Sequence, residues 1–360
     1  MFSIWYIPTF ALDVYGEGVG SYASYFMFMM ILAYYFLAPK TKPNFPLIVL
    51  GISYYTLSGL NYTGEFDFFF NKFIKYLVFV IGVSELITRC KVNILFLFLL
   101  VGGMSIIVNA VFFPHFYGRY SGFYLNPNLA ALTALLGFCF CFKISHRSLR
   151  ILGFVIFIFA GFLTFSRYFI LMWIVLSIIS IVVDKKNLEV LAIGVGSGIM
   201  ILTVASLLQL NTERFQSIQN ILGNQVEQGA KTLSKNPRID TWSLYTEDIL
   251  NNIGLGNGFT ALSGSNNVSV GVHNALLLTI GEAGIIPFLI MIIIFGRLLL
   301  WGIKSMNVEL FSGILSLTLC SYLFVSHNFY DNYLLLFFLL WFSWYLHNKN
   351  YNINLISKTT

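Results

Sequence analysis

Apolar runs of about 15–22 residues, each closed by a short charged segment, follow one another along most of the chain. They predict membrane-spanning helices near 20–38, 46–60, 73–88, 93–112, 126–142, 151–165, 168–183, 188–209, 273–296, 309–326 and 332–346. Met1 to Val14 is a candidate short or re-entrant further span, spoiled by Pro8 and Asp13. The expected fold class is therefore all-α: a polytopic integral membrane protein of about 11–12 transmembrane helices. It is expected to form a single membrane domain over residues 1–360, with one large outer loop at 210–272. The chain shows no internal repeat. It also lacks a pair of matching broken helices in two halves, the usual mark of an alternating-access transporter.

The loop at 210–272 is the only sustained polar segment, and it is patterned. Phe215, Ile218, Ile221, Leu222 and Val226 recur at helical spacing, and so do Ile239, Trp242, Tyr245, Ile249 and Leu250. Both stretches predict amphipathic helices that could lie on the membrane surface. Asn236-Pro237 starts the second with a capping residue and a proline at the first helical position. Gly254-Leu255-Gly256-Asn257-Gly258 then turns the chain. It is not a nucleotide-binding loop, because no strand precedes it.

Composition supports the membrane reading. The 360 residues are 58% hydrophobic and only 10% charged, against roughly 25% charged in a soluble domain. Met1 to Tyr15 lacks a basic start and a small-residue cleavage site, so no cleaved secretory signal is expected. Cys90, Cys139, Cys141 and Cys320 all fall in or beside apolar runs without metal-ligand spacing, and read as small buried hydrophobes.

The net charge of +6 is mostly a topology signal, not a nucleic-acid signal. Thirteen of the 21 lysines and arginines fall in one alternating set of segments: Lys40 and Lys42; Arg89 and Lys91; Lys143, Arg147 and Arg150; Lys185 and Lys186; Arg297 and Lys304; Lys349 and Lys358. The other set holds Lys72, Lys75, Arg119, Arg167 and four residues of the loop: Arg214, Lys231, Lys235 and Arg238. The richer set is expected in the cytoplasm, together with the C-terminus. The loop, Arg119, Arg167, His273 and the turn His327-Asn328-Phe329-Tyr330-Asp331-Asn332 then lie outside.

Ionisable groups are rare in such a chain, and each is a candidate for function. Arg119 precedes the Asn126-Pro127-Asn128 helix start. Arg167 sits in Thr164-Phe165-Ser166-Arg167-Tyr168, a turn barely long enough to leave the membrane. Arg238 falls in the first turn of the loop helix. His273-Asn274 opens the next span, and Glu282 lies inside it. Each also has a plainer reading as a cap, a snorkelling charge or a turn residue, and His327 and Asp331 read as turn residues.

The loop carries five acidic residues against four basic ones, so it does not attract anions by bulk field. Specific arginines would have to bind a phosphate. Guanidinium holds phosphate oxygens in a bidentate fork at any pH. Three arginines converging on one outer pocket would hold a diphosphate and stabilise the charge of its departure. Histidine could take a proton from an attacking hydroxyl. The predicted outer face has no acidic cluster with metal-ligand spacing, so neither a metal nor another cofactor is expected.

These residues resemble a known family. Arg119-Tyr120-Ser121-Gly122 through Asn126-Pro127-Asn128-Leu129-Ala130 resembles the Arg-x-x-Gly…Asn-Pro-Asn-x-x-Ala segment of the O-antigen ligase and O-antigen polymerase superfamily. Ser166-Arg167 is similar to that family's Ser-Arg pair between two spans. Arg238-x-x-x-Trp242 with Gly254-x-Gly256-x-Gly258 resembles its outer-loop motif. His273-Asn274 with Glu282-x-Gly284 resembles its His-Asn/Ser…Glu-x-Gly motif. The four motifs stand in the family's order and cover roughly residues 90–300. One departure is that Asn252-Ile253 stands where many members have proline before the loop glycines.

The resemblance implies a metal-independent, inverting glycosyltransferase of the bacterial inner (plasma) membrane, working on its periplasmic face. Undecaprenyl diphosphate-linked glycan would be donor and acceptor, membrane lipid a further partner, a chain-length regulator a candidate partner, and nucleic acid none. The first expectation is a polymerase of O-antigen or another surface polysaccharide. The alternative is a ligase that moves the finished glycan to lipid A-core, and a pilin-glycosylating oligosaccharyltransferase is a weaker third; a reading of a different class, less favoured, is a lipid-linked oligosaccharide flippase. By resemblance Arg167, Arg238 and His273 would be catalytic, His273 either serving the acceptor hydroxyl or orienting the phosphate. Arg119, Asn126, Asn128, Tyr168, Asn274 and Glu282 would bind substrate.

Overall fold

The computed structural model describes residues 1–113, 119–207, 237–264, 270–306 and 308–359. The first amphipathic loop helix expected from Phe215 to Val226, and Arg214, Lys231 and Lys235, lie outside the described residues. Among the described residues every regular element is helical. They are α1 (Ile7–Tyr15), α2 (Glu17–Leu37), α3 (Phe45–Leu60), α4 (Phe66–Arg89), α5 (Val92–Phe112), α6 (Pro127–Cys141), α7 (Arg147–Leu163), α8 (Arg167–Val183), α9 (Leu188–Leu207), α10 (Pro237–Asn251), α11 (Ala275–Ala283), α12 (Ile285–Met306), α13 (Leu310–Ser321) and α14 (Tyr333–Thr359). Short 3-10 turns follow at Gly122–Tyr124, Lys185–Asn187 and Tyr322–Phe324.

Of the described helices, α2, α5 and α12 are long and apolar enough to cross a membrane, and several shorter helices are also apolar. Large apolar side chains stand out from them, among them Tyr22 (77% exposed) and Leu37 (87%) on α2, Val108 and Phe112 on α5, and Ile293 on α12. Contiguous apolar surface on this scale belongs to a membrane-embedded protein. The polar positions are used to start helices. The carboxamides of Asn44, Asn126, Asn274 and Asn332 accept backbone N–H groups at the starts of α3, α6, α11 and α14. Each replaces hydrogen bonds that the first helical turn cannot make for itself.

The span expected at 273–296 is two helices. α11 ends at Gly284, whose φ of +79° breaks the spiral before α12 begins. Hydropathy could not see this break, because both pieces are apolar.

The helices form two compact units, Met1–Lys91 with Arg238–Thr360, and Val92–Pro237. In the first unit, α14 is buried at every position from Leu334 to Phe342, and it packs against α4, α12 and α13. One end of this unit is tied by Thr41 Oγ1 donating to the Ser84 carbonyl (3.0 Å), Trp341 Nε1 to the Cys90 carbonyl (2.9 Å) and the Tyr345 hydroxyl to Glu309 Oε2 (2.9 Å). The opposite end gathers the close of α3, the start of α4, the segments 254–264 and 270–274 and the turn before α14. In the second unit, α6 is buried from Leu129 to Cys141 and packs against α5, α7 and α8. Arg150 Nη2 lies 3.5 Å from Glu189 Oε1 at the end of that unit where α7 begins.

Candidate functional site

The sequence candidates fall into two clusters, one in each unit. In the second unit the Arg119–Asn128 stretch meets the Ser166-Arg167 turn. The Tyr120 N–H donates to the Leu163 carbonyl (3.1 Å), and Arg119 Nε donates to the Thr164 carbonyl (3.3 Å). The Ser166 hydroxyl donates to Asn128 Oδ1 (3.0 Å), so the two motifs share a bond between their polar side chains. Thr164, buried, closes the turn by donating to the Gly161 carbonyl (2.6 Å) and accepting the Ser166 N–H (3.2 Å). Phe165 takes a left-handed φ of +46° to turn the chain between α7 and α8.

Asn126 caps α6 by accepting the N–H groups of Asn128 and Leu129. Asn109 Oδ1 accepts the N–H groups of Ser121 and Gly122, both at 3.2 Å, and so holds the loop behind Arg119. Gly122 has φ +56°, and a Cβ there would lie 2.4 Å from the Ser105 hydroxyl. The consequence is positional. Arg119 is half-buried, Arg167 is exposed as the first residue of α8, and Tyr168 is buried beneath it.

In the first unit the loop motif and the histidine motif interlock. The Asn257 N–H donates to the Gly281 carbonyl (2.7 Å), and the Gly258 N–H donates to the Glu282 carbonyl (3.1 Å). Gly256 (φ +79°) lies against the backbone of Glu282, and Gly284 (φ +79°) lies against the Gly254 carbonyl, where a Cβ would sit 2.2 Å from that oxygen. The glycines at 254–258 and at 284 are therefore one packing arrangement. Glu282, 0% exposed, accepts from the Tyr54 hydroxyl (2.5 Å), the Leu262 N–H (3.1 Å) and the Ser263 hydroxyl (3.2 Å). The Tyr54 ring stacks on Tyr330 with centroids 3.6 Å apart. This carboxylate joins α3, α11 and the 254–264 segment.

The loop helix α10 begins at Pro237, as the Asn-Pro pair predicts. Arg238 falls in its first turn, and its side chain lies outside the described residues. Trp242 Nε1 donates to the Val272 carbonyl (2.9 Å), and the Tyr245 hydroxyl donates to the Val270 carbonyl (2.8 Å). These two bonds fasten α10 to the residues immediately before His273. His273 itself has φ +47°, unusual for a residue with a side chain. Asn274 accepts the N–H groups of Leu276 (2.9 Å) and Leu277 (3.2 Å) and starts α11. A strained backbone held by side-chain bonds on both sides is a common feature of functional positions.

One residue beside His273 was read from the sequence only as a turn residue. The His327 ring lies 5.0 Å from the His273 ring, centroid to centroid, over the backbone of Gly271. Its Nδ1 is buried without a hydrogen-bond partner. The only signal in the sequence was the polar run 327–332 between two apolar spans, and Tyr54 had none. Burial, and then the charge of His273, push the His327 imidazole down to about 4, against a smaller upward pull from Asp331.

His327 is thus neutral in the fold above pH 4, whereas in the unfolded chain it charges below about 6.5. Between those values the unfolded chain binds more protons, so the stability contributed by the neutral ring is complete above pH 6.5 and is lost as the pH falls towards 4. Unfolding temperatures of the wild-type and His327→Gln proteins at pH 7.5 and 4.5 are expected to show a larger acid loss in wild type, on the order of 2–3 kcal/mol. Equal losses would remove this assignment.

Among the described residues no group of three or more His, Cys, Asp or Glu side chains gathers as metal ligands would. Cys139 and Cys141 are buried, Cys90 and Cys320 half-buried, and all four are free thiols. No protein-family model matches the chain, and no curated protein matches it.

Proposed function

We propose that the protein is a glycosyltransferase of the bacterial inner membrane that joins undecaprenyl diphosphate-linked repeat units into a surface polysaccharide on the periplasmic face, releasing undecaprenyl diphosphate. One observation carries the reading. Four motifs that stand far apart in the chain pair in the fold: the arginine–asparagine stretch with the Ser-Arg turn, and the loop glycines with the His-Asn…Glu-x-Gly segment. These bonds bring the two members of each pair together at one place within their own unit.

On this reading Arg119 and Arg167 of the second unit, and Arg238 of the first, are phosphate-binding groups that balance the charge growing as the lipid diphosphate leaves. His273 takes the proton of the attacking sugar hydroxyl. Asn126, Asn128, Ser166 and Asn274 set the backbone from which these groups project, and Glu282 holds the 254–264 segment. The reading places α10, Arg119, Arg167, His273 and the 327–332 turn outside and the C-terminus in the cytoplasm. Of the richer set, Lys40, Arg89 and Lys91 lie at the end of the first unit opposite His273.

The test is reconstitution of the purified protein with one lipid-linked repeat unit from its own pathway and no other acceptor. A ladder of products spaced by one repeat is expected. Transfer only after lipid A-core is added would make the protein a ligase instead. Neither product, with the outer loop accessible from outside, would sink the glycosyltransferase reading and favour a flippase.

Arginine chemistry gives a narrower check. Arg167→Ala is expected to lower turnover by about 10²–10³-fold, and Arg167→Lys to recover only part of it, because an ammonium cannot reproduce the guanidinium fork. Full activity of the lysine variant would reduce Arg167 to a general positive charge.

A further inference from the structure

A cavity of about 480 Å³ opens at the His273 end of the first unit, between α1, the first half of α2, the start of α4 and the turn before α14. Its volume is that of a small-molecule site. Its lining is mixed, with Ser24, Tyr25, Asn71, Lys72, Lys75 and Asp331 among the residues that face it. Lys72 and Asp331 neutralise one another through an ion pair of 2.9 Å. Lys75, nearly one helical turn further along α4, has no carboxylate partner among the described residues. Its ammonium lies 5.2 Å from the Tyr25 ring centroid and 5.8 Å from that of Phe28. Ring faces orient an ammonium without cancelling its charge. The lining described therefore carries one uncompensated positive charge in a chain where charge is scarce.

The rest of the lining is more than an anion alone would use. A bare phosphate would leave the serine hydroxyl, the asparagine amide and the tyrosine face unengaged, and an acyl chain would bury them against hydrocarbon at a cost. A sugar ring uses all of them. Its hydroxyls bond to amides, carboxylates and other hydroxyls, and its C–H face lies on an aromatic ring.

We propose that this cavity binds an acidic sugar, a pyranose bearing one negative charge. Lys75 holds the anion, Asn71 and Asp331 engage ring hydroxyls, and the Tyr25 ring covers the C–H face. Asp331 belongs to the turn that carries His327, whose ring faces His273, so the cavity and the proposed proton acceptor share one end of the first unit. In the reaction proposed above, and resting on that reading, the bound sugar belongs to the acceptor glycan.

The test is equilibrium binding to the full-length protein in nanodiscs of phosphatidylcholine, which contributes no net lipid charge. The probes are a glucuronyl-glucose disaccharide, the neutral glucosyl-glucose disaccharide and inorganic phosphate. The acidic disaccharide is expected to bind about tenfold more tightly than the neutral one, the size of one charge-assisted contact. Lys75→Met, which keeps the packing between the two rings, should remove that preference, and Lys75→Arg should keep it. Asn71→Ala should weaken both sugars alike, and it serves as the second variant if Lys75→Met does not fold.

Equal affinity for the acidic and neutral sugars, or an unchanged preference in Lys75→Met, overturns the proposal. So does phosphate competing as well as the acidic disaccharide. The measurement needs no turnover. A polymer ladder without acidic-sugar binding would overturn this inference alone, whereas binding without any transfer product would leave the site standing and remove the proposed reaction.

Discussion

The His273→Ala protein is expected to lose turnover by about 10²–10⁴-fold while still binding the lipid-linked donor, the range for removal of a general base. The geometry makes the split between binding and turnover informative. His273 is held between Val272, whose carbonyl accepts from Trp242, and Asn274, whose carboxamide starts α11. Neither anchor uses the imidazole, so its removal should leave α10 and α11 in place. The strained φ of +47° is a property of the backbone that alanine must also adopt, so a small loss of stability is expected alongside. Single-turnover kinetics with labelled donor, together with donor binding, check the result. Unchanged turnover would make His273 a structural hinge, and loss of donor binding would move it to the diphosphate. His327→Gln offers a comparison. If His327 only tunes its neighbour, the pH dependence of turnover should shift while the maximum rate changes little.

The second large effect concerns stability. Glu282→Ala is expected to destabilise the first unit by about 3–5 kcal/mol, because it leaves the Tyr54 hydroxyl, the Leu262 N–H and the Ser263 hydroxyl without their acceptor. The loss should appear as a lower unfolding temperature in detergent and as proteolysis within 254–264, the segment the carboxylate holds. Glu282→Gln keeps one acceptor oxygen and should lose less. Its amide N–H₂ would meet donors where the second carboxylate oxygen accepted, so it should not equal wild type. An alanine variant as stable as wild type would show that the backbone bonds of Asn257 and Gly258 hold the segment by themselves.

Most helix positions were legible in the chain. The predicted spans at 46–60, 93–112, 126–142 and 168–183 correspond to α3, α5, α6 and α8 within a few residues. Length and apolarity suffice there, because a helix is the local answer to a backbone that must satisfy its own hydrogen bonds away from water. Asn126-Pro127 and Asn236-Pro237 marked the starts of α6 and α10 for an equally local reason. Capping by Asn126 and the fixed φ of a proline at the first helical position act within one turn. The scarcity of charge also identified Arg119, Arg167, His273 and Glu282 as positions to examine.

What the sequence could not supply is which of these residues share bonds. Hydropathy reads Glu282 as a charge inside a span, and nothing local says that Tyr54, 228 positions away, donates to it. Gly284 looks like one more small residue in an apolar run. Its meaning lies in the approach of Gly254, which leaves no room for a Cβ and splits the expected span into α11 and α12. His327 is a turn residue until the ring of His273 stands beside it, and Lys75 is an interfacial lysine until Tyr25, Phe28 and the cavity surround it. The chain by itself determined most of the helices, some of their starts and the short list of polar groups, because those follow from interactions within a turn or two. The tertiary structure alone decided their partners, because burial, ion pairing and close backbone approach depend on residues that folding brings together from distant parts of the chain.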